Sequence, residues 1–266
     1  MFRSYFAHYI THAPFALARE RSLELYLMQN MKPKKEILDI ACGDGFFASL
    51  LFSRQSDLIY GVDLNPNEVK KALSYTNYKE VLEMDATKMT FKPLSFNTIF
   101  SNSSLEHIPN IGKALSSIRT IMSDDGELFL TLPTDKFEHY SVGGTILQFL
   151  KMQKISNLFG ILYNKFWHHY HAYPVEKWQL IFEEHGFVVE ELIEYGSKSF
   201  CFINDLMVVP GVIGKLNMLL FKKWKIMEPI WIYISRVIDL NEPFLLKNEI
   251  DVTNGGLVFF KLKKKL

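Results

Sequence analysis

Cysteine is scarce: Cys42 and Cys201 are the only two in 266 residues. Neither a disulfide framework nor a four-cysteine zinc site can be built from them, and such usage suits a reducing compartment, the cytoplasm. Charge of one sign is lacking too. Thirty basic residues stand against 29 acidic ones, a net +1, so the totals exert no pull towards nucleic acid. Long apolar runs are absent, because Lys215, Lys222, Glu228 and Arg236 interrupt the most hydrophobic region before it reaches the roughly 18 residues of a membrane-spanning helix. No fixed-period self-similarity marks a repeat array. An export signal is not expected either. Residues 4–18 carry no Lys, Arg, Asp or Glu and close on Ala16-Leu17-Ala18, but His8, Thr11, His12 and Pro14 break the apolar stretch and only Arg3 gives a basic start.

What is present is apolar substance. Hydrophobic residues make up 48% and aromatic residues 14%, enough for one elaborated globular domain with a sizeable core. Residues 36–133 alternate short apolar runs with helical patterns. Strands are expected at 36–41, 58–63, 80–84, 98–101 and 127–132, and helices at 46–54, 66–75 and 111–122. This rhythm implies a mostly parallel sheet covered on both faces. Ahead of it, Leu17, Leu23, Tyr26, Leu27 and Met31 recur at the spacing of an amphipathic helix over 15–31, read as a structural flap. Beyond Pro133, residues 140–164 are aromatic-rich and helical in pattern. A helix over 175–185 stops at Gly186, and strands follow at 187–194 and 256–262.

Asp39-Ile-Ala-Cys-Gly43-Asp-Gly45 lies where the first strand meets the next helix. Glycines there let backbone approach a ligand closely, and ligands of open α/β sheets bind beyond the carboxyl ends of the strands. Two cofactors compete for this loop. Gly43-x-Gly45-x-x-Ala48, with Asp63 twenty residues after Gly43, matches the dinucleotide fingerprint of an NAD-dependent oxidoreductase. Asp39, placed inside the strand, instead suits a ligand with a positively charged group.

Four motifs in order resemble the class I S-adenosylmethionine-dependent methyltransferases over about residues 34–133. They are Ile37-Leu-Asp39-Ile-Ala-Cys-Gly43-Asp-Gly45, with Ala41 in place of the family's first glycine; Tyr60-Gly-Val-Asp63-Leu-Asn-Pro66; Met84-Asp85-Ala86; and Phe96 to Ile108 with Leu105-Glu106-His107. The likeness is greatest to the branch with quinone-ring and small-metabolite methyltransferases. It implies a Rossmann-like sheet of seven strands, the last antiparallel, with a helical lid and a helical insertion before the last strand. The expected organisation is a single domain: a flap (1–33), a cofactor-binding core (34–133), an acceptor lid (134–175), closing elements (176–202 and 251–266) and the insertion (203–250).

The resemblance implies S-adenosylmethionine as cofactor. Asp39 would steer its methionyl ammonium, while the Ala41, Gly43 and Gly45 loop admits the amino-acid moiety and ribose. Asp63 would accept from both ribose hydroxyls, Leu64 would lie against the adenine face, and Asp85 with the Ala86 amide would meet the adenine edge. The Ser101 carbonyl would sit near the ammonium. The implied activity is methyl transfer to a small or lipid- or sugar-linked acceptor, with oxygen the expected target atom. Its alternatives are the NAD oxidoreductase and a non-catalytic cofactor-binding or membrane-docked partner.

On the acceptor side, His107 is the candidate general base, against a structural role in bracing its loop. His139, Tyr140 and Tyr170 are candidate substrate contacts. His168-His169-Tyr170-His171 puts His168 and His171 on one helical face but supplies no third ligand, so no metal is expected. Trp178 is read as anchoring the helix behind this segment. The insertion carries Lys215, Lys222, Lys223, Lys225 and Arg236 against Glu228 between 206 and 238. That basic, apolar stretch is read as a core-capping pair, an anionic-membrane contact at the inner membrane face, or a homodimer interface. No nucleic-acid surface is expected.

Overall fold

The computed structural model describes residues 5–53, 58–208 and 248–265. Helices α1 (Tyr5–His12) and α2 (Phe15–Met28) precede strand β1 (Ile37–Ile40). Then come α3 (Phe46–Leu51), β2 (Ile59–Asp63), α4 (Pro66–Ala72), β3 (Tyr78–Glu83), β4 (Phe96–Asn102), α5 (Ile111–Ile121) and β5 (Met122–Pro133). The remainder is α6 (Lys136–Tyr140), α7 (Val142–Phe149), α8 (Gln153–Phe166), α9 (Val175–Glu184), β6 (Phe187–Tyr195), α10 (Lys198–Leu206) and β7 (Leu257–Lys264). The chain divides into two compact units, one of 1–28, 136–163 and 194–256, the other of 29–135, 164–193 and 257–266.

The second unit is built on a seven-stranded sheet of order β3-β2-β1-β4-β5-β7-β6. Neighbours from β3 to β5 run parallel, and β7 lies antiparallel to β5. All four residues of β1 are buried, as a strand covered on both faces requires. Strand order reverses between β1 and β4, which is the topological switch point where open sheets bind ligands. Asn65 caps α4 by accepting from the Asn67 amide at 3.0 Å, and Pro66 opens the helix, where its missing N–H costs nothing. Behind β5, Trp178 is fully buried. Its indole donates to the Pro133 carbonyl at 3.0 Å, and its ring stacks on Phe182, which meets Phe260 edge-on.

The first unit is helical apart from the end of β6. Its centre holds charge rather than only apolar atoms: Glu24, fully buried, accepts from the Tyr195 hydroxyl at 3.0 Å and pairs with Arg21. This pairing corrects the expected apolar face of the flap. Leu23 is buried as expected, but Leu17 is 40% exposed while Ser22, Glu24 and Leu25 are inside, because a paired carboxylate can take a core position that periodicity assigns to an apolar residue. The single helical stretch expected over 140–164 is two helices, separated at Lys151, whose φ is +55°. Strand β5 begins five residues earlier than expected, at Met122, and runs through Asp124, Asp125 and Gly126. Most of the expected helical insertion lies outside the described residues; α10 is the helix seen before it.

Candidate active site

The cofactor residues expected from the sequence converge on the carboxyl ends of β1 to β4. Asp39 sits within β1, opposite Gly61 of β2 and Phe100 of β4, and is 4% exposed. The Tyr78 hydroxyl donates to its Oδ2 at 2.6 Å. Burial pushes the Asp39 carboxyl up to about 7; the Tyr78 bond opposes that rise, and the nearby Asp63 charge adds to it. Sequence reasoning missed Tyr78, because nothing in its spacing ties the first residue of the third strand to Asp39.

Three positive φ values shape the turn after β1: Ala41 at +56°, Gly43 at +56° and Gly45 at +81°. The two glycines are not equivalent. A Cβ on Gly45 would come within 2.9 Å of Ala72 Cα and the Tyr78 ring, whereas a Cβ on Gly43 would meet nothing within 4 Å. Gly45 therefore serves close packing of the loop on α4 and β3, and Gly43 faces open space. Asp63 ends β2 and ties this loop together. Its Oδ2 accepts from the Gly43 amide at 2.9 Å and its Oδ1 from the Asn65 amide at 2.8 Å. Each oxygen keeps a further lone pair. The neighbouring Leu64 is 70% exposed, an apolar side chain left uncovered beside a charged loop.

After β3, Asp85 accepts from the Thr87 amide and hydroxyl, both at 2.8 Å. These two bonds hold its carboxyl below the usual carboxylate range. They use Oδ1. Ala86, buried, begins the short turn that Asp85 caps. Ser101 closes the row at the end of β4, its hydroxyl donating to the Ile40 carbonyl at 3.0 Å across the switch point.

S-adenosylmethionine fits this row of groups. Asp39 offers a buried carboxylate for a cation, Asp63 keeps acceptor capacity for hydroxyls, and Gly43 leaves room where the ligand must pass. A dinucleotide fits less well, since its pyrophosphate would bring negative charge towards Asp39.

Around Leu105-Glu106-His107 a second group forms within the same unit. Glu106 is 2% exposed and His107 is exposed. The His107 Nδ1 lies 3.1 Å from the His168 carbonyl. The Tyr170 amide donates to the Glu106 carbonyl at 2.9 Å, and His171 Nε2 lies 2.9 Å from the Ile108 carbonyl. Residues 168–171 are thereby stitched along 106–108, and His169 is placed against His107 with ring centroids 5.1 Å apart. Tyr170 joins this group through its backbone, with its ring 59% exposed. The other two expected acceptor residues belong to the first unit. There His139 and Tyr140 end α6, and the Tyr140 hydroxyl donates to the Asn254 carbonyl at 2.8 Å.

Comparison with known proteins identifies relatives of this fold. A family profile described as "Methyltransferase domain" matches residues 7–192. Phosphoethanolamine N-methyltransferase 2 of Caenorhabditis elegans is 27% identical over 123 residues, covering 42% of this chain and 28% of that protein. The malonyl-[acyl-carrier protein] O-methyltransferase of Legionella pneumophila is 28% identical over 111 residues, 39% of this chain and 38% of its own length. The chain thus matches about a third of the length of these curated relatives. Among solved structures, the Haemonchus contortus phosphoethanolamine N-methyltransferase 2 in complex with S-adenosyl-L-methionine superposes with a TM-score of 0.56 at 19% identity, over 98% of this chain and 56% of that one. That likeness is one of fold.

Proposed function

The chain belongs to the class I S-adenosylmethionine-dependent methyltransferases, and from that premise we propose that it transfers a methyl group to an oxygen atom of a small or lipid- or sugar-linked acceptor. The observation that carries this reading is the convergence of Asp39, Asp63 and Asp85 at the ends of three adjacent parallel strands, around the open side of Gly43. The cofactor supplies a sulfonium methyl group whose positive charge disappears as the methyl leaves.

The protein's own groups then have distinct tasks. Asp39 would pair with the methionyl ammonium, Asp63 would hold the ribose, and Leu64 would cover one adenine face. Desolvation and alignment of this kind supply several kcal/mol without strong acid or base. A hydroxyl acceptor must also lose its proton. With the His107 Nδ1 donating to the His168 carbonyl, the lone pair of that imidazole sits on Nε2, the atom that takes the proton in this reading.

A lipid-linked acceptor and a peripheral membrane contact are supported by a surface of the first unit. α8 turns its small residues Ser156 and Gly160 inwards. Its large apolar residues face outwards: Leu158 is 57% and Ile161 67% exposed, and Phe149 at the end of α7 is 84% exposed. Within this unit, residues 139–163 hold Lys151 and Lys154 and no aspartate or glutamate. Exposed apolar side chains among lysines match an anionic bilayer surface. In an isologous dimer the same lysines would be brought together. The basic stretch 206–238 lies outside the described residues beyond Val208.

Cell extract incubated with labelled methyl donor, followed by mass spectrometry of the product, tests the reaction. Labelled product that disappears with an Asp63→Ala variant supports it, and absence of transfer across extracts rejects it.

A further inference from the structure

We propose that Glu106, His107 and His169 form a binding site for a divalent transition-metal ion of the zinc type, with at least one coordination position left for an acceptor oxygen. The ligand atoms of the three residues lie within 4.8 Å of one another, and His107 Nε2 is 3.8 Å from Glu106 Oε1. Two histidines and one carboxylate are a donor set that holds a catalytic metal and leaves it open.

The surroundings of both rings match those of metal-bound imidazoles. Ligating histidines donate their other N–H to a carbonyl or carboxylate oxygen, which fixes tautomer and ring orientation. His107 has its Nδ1 on the His168 carbonyl at 3.1 Å, and His169 has its Nδ1 on the Asn164 side-chain oxygen at 3.3 Å. Both contacts place the lone pair on Nε2, so the two histidines present the same ligand atom.

The rings are held by different segments. His107 follows β4, while His169 arrives from residues 164–171, pinned by the Tyr170 amide on the Glu106 carbonyl at 2.9 Å. Around an ion with bonds of about 2.1 Å, ligand atoms must draw together by roughly 1 Å from this arrangement. His107, with its side chain 41% exposed, has room to make that movement. Glu106, with its side chain 3% exposed, gives a fixed anchor.

This inference deepens the proposed reaction and rests on it for the acceptor side. With the ion bound, the Nε2 lone pair of His107 would be taken up by the metal, so the general-base role given to His107 above would pass to the ion, which would lower the pKa of a coordinated acceptor hydroxyl so that its proton leaves to solvent water. The binding itself is separable from methyl transfer and is read without cofactor or acceptor.

Chelator-treated, cofactor-free protein is titrated with cobalt(II) chloride while the visible absorption of the metal is followed. The expected result is saturation at one ion per chain, with affinity lowered at least about tenfold in His107→Ala and in His169→Ala and kept in His168→Asn. Circular dichroism reports whether each variant is folded. Wild-type protein gives a second readout that needs no substitution: cobalt should shift the ring-proton resonances of His107 and His169 more than those of any other histidine. Absence of saturable binding, binding unchanged in both alanine variants, or paramagnetic shifts confined to other histidines would overturn the proposal. None of these outcomes touches cofactor binding, which is measured separately with S-adenosylmethionine.

Discussion

The Tyr78 hydroxyl donates a 2.6 Å hydrogen bond to Asp39, joining the start of the third strand to the buried carboxylate of the first. This bond favours ionisation of a group that burial pushes up to about 7. Pairing with the cofactor's ammonium requires the ionised form. Affinity for S-adenosylmethionine should therefore rise as pH increases from 6 to 8, with a proton released on binding near pH 7. Calorimetry in buffers of different ionisation enthalpy measures that proton directly, and pH-independent affinity without proton release contradicts the assignment.

Tyr78→Phe removes the donor that lowers the Asp39 pKa, so the rise in affinity should move to higher pH. Loss of the buried bond should also cost about 1–3 kcal/mol of stability, read by urea unfolding. An unchanged pH profile would separate Tyr78 from the cofactor site.

The same shift sets a sign for stability. Cofactor-free folded protein holds a proton on Asp39 that the unfolded chain, with an ordinary aspartate pKa of 3.8, has released. The contribution of Asp39 is fully present below about pH 4 and is lost as pH rises through 7. Asp39→Asn should flatten that part of the stability–pH curve, and an unflattened curve would place the proton elsewhere.

The turn after β1 separates packing from ligand space. Gly45→Ala should lower stability more than Gly43→Ala, because only its Cβ meets Ala72 and Tyr78 at 2.9 Å. Gly43→Ala should instead weaken cofactor binding out of proportion to its effect on folding. Ala41→Gly should raise stability by about 0.5 kcal/mol, since relief of a left-handed alanine exceeds the added entropy of the unfolded chain. Urea midpoints measured alongside cofactor affinity decide all three.

Liposome flotation tests the apolar surface of α7 and α8. Binding to anionic vesicles at low salt should weaken when Phe149 and Ile161 are both replaced by aspartate, and neutral vesicles should bind less. Equal recovery from both kinds of vesicle, or none from either, would remove the membrane contact.

Much of the sheet was legible because buried parallel strands leave continuous apolar runs, as in Ile37-Leu-Asp-Ile40 and Ile59 to Asp63. The cofactor loop was legible because its glycines and acids are close in sequence. Pairs joined over long separations were not. Tyr78 meets Asp39, Glu24 meets Tyr195, and His169 meets His107 only after the chain has folded. The four-residue histidine run was judged by its own spacing, whereas its partner for His169 lies after β4, more than sixty residues away. Periodicity also hid the buried Glu24, since it has no means of marking a charge that finds a partner inside.

Calorimetric titration of S-adenosylmethionine and NAD into the wild-type protein and Asp63→Asn tests the central claim most directly. The account predicts stoichiometric S-adenosylmethionine binding, tighter than NAD, that weakens at least about tenfold in the variant, the loss expected from about 1.5 kcal/mol of charge-assisted hydrogen bonding. Tighter binding of NAD, or S-adenosylmethionine affinity unchanged in a folded Asp63→Asn protein, would contradict it.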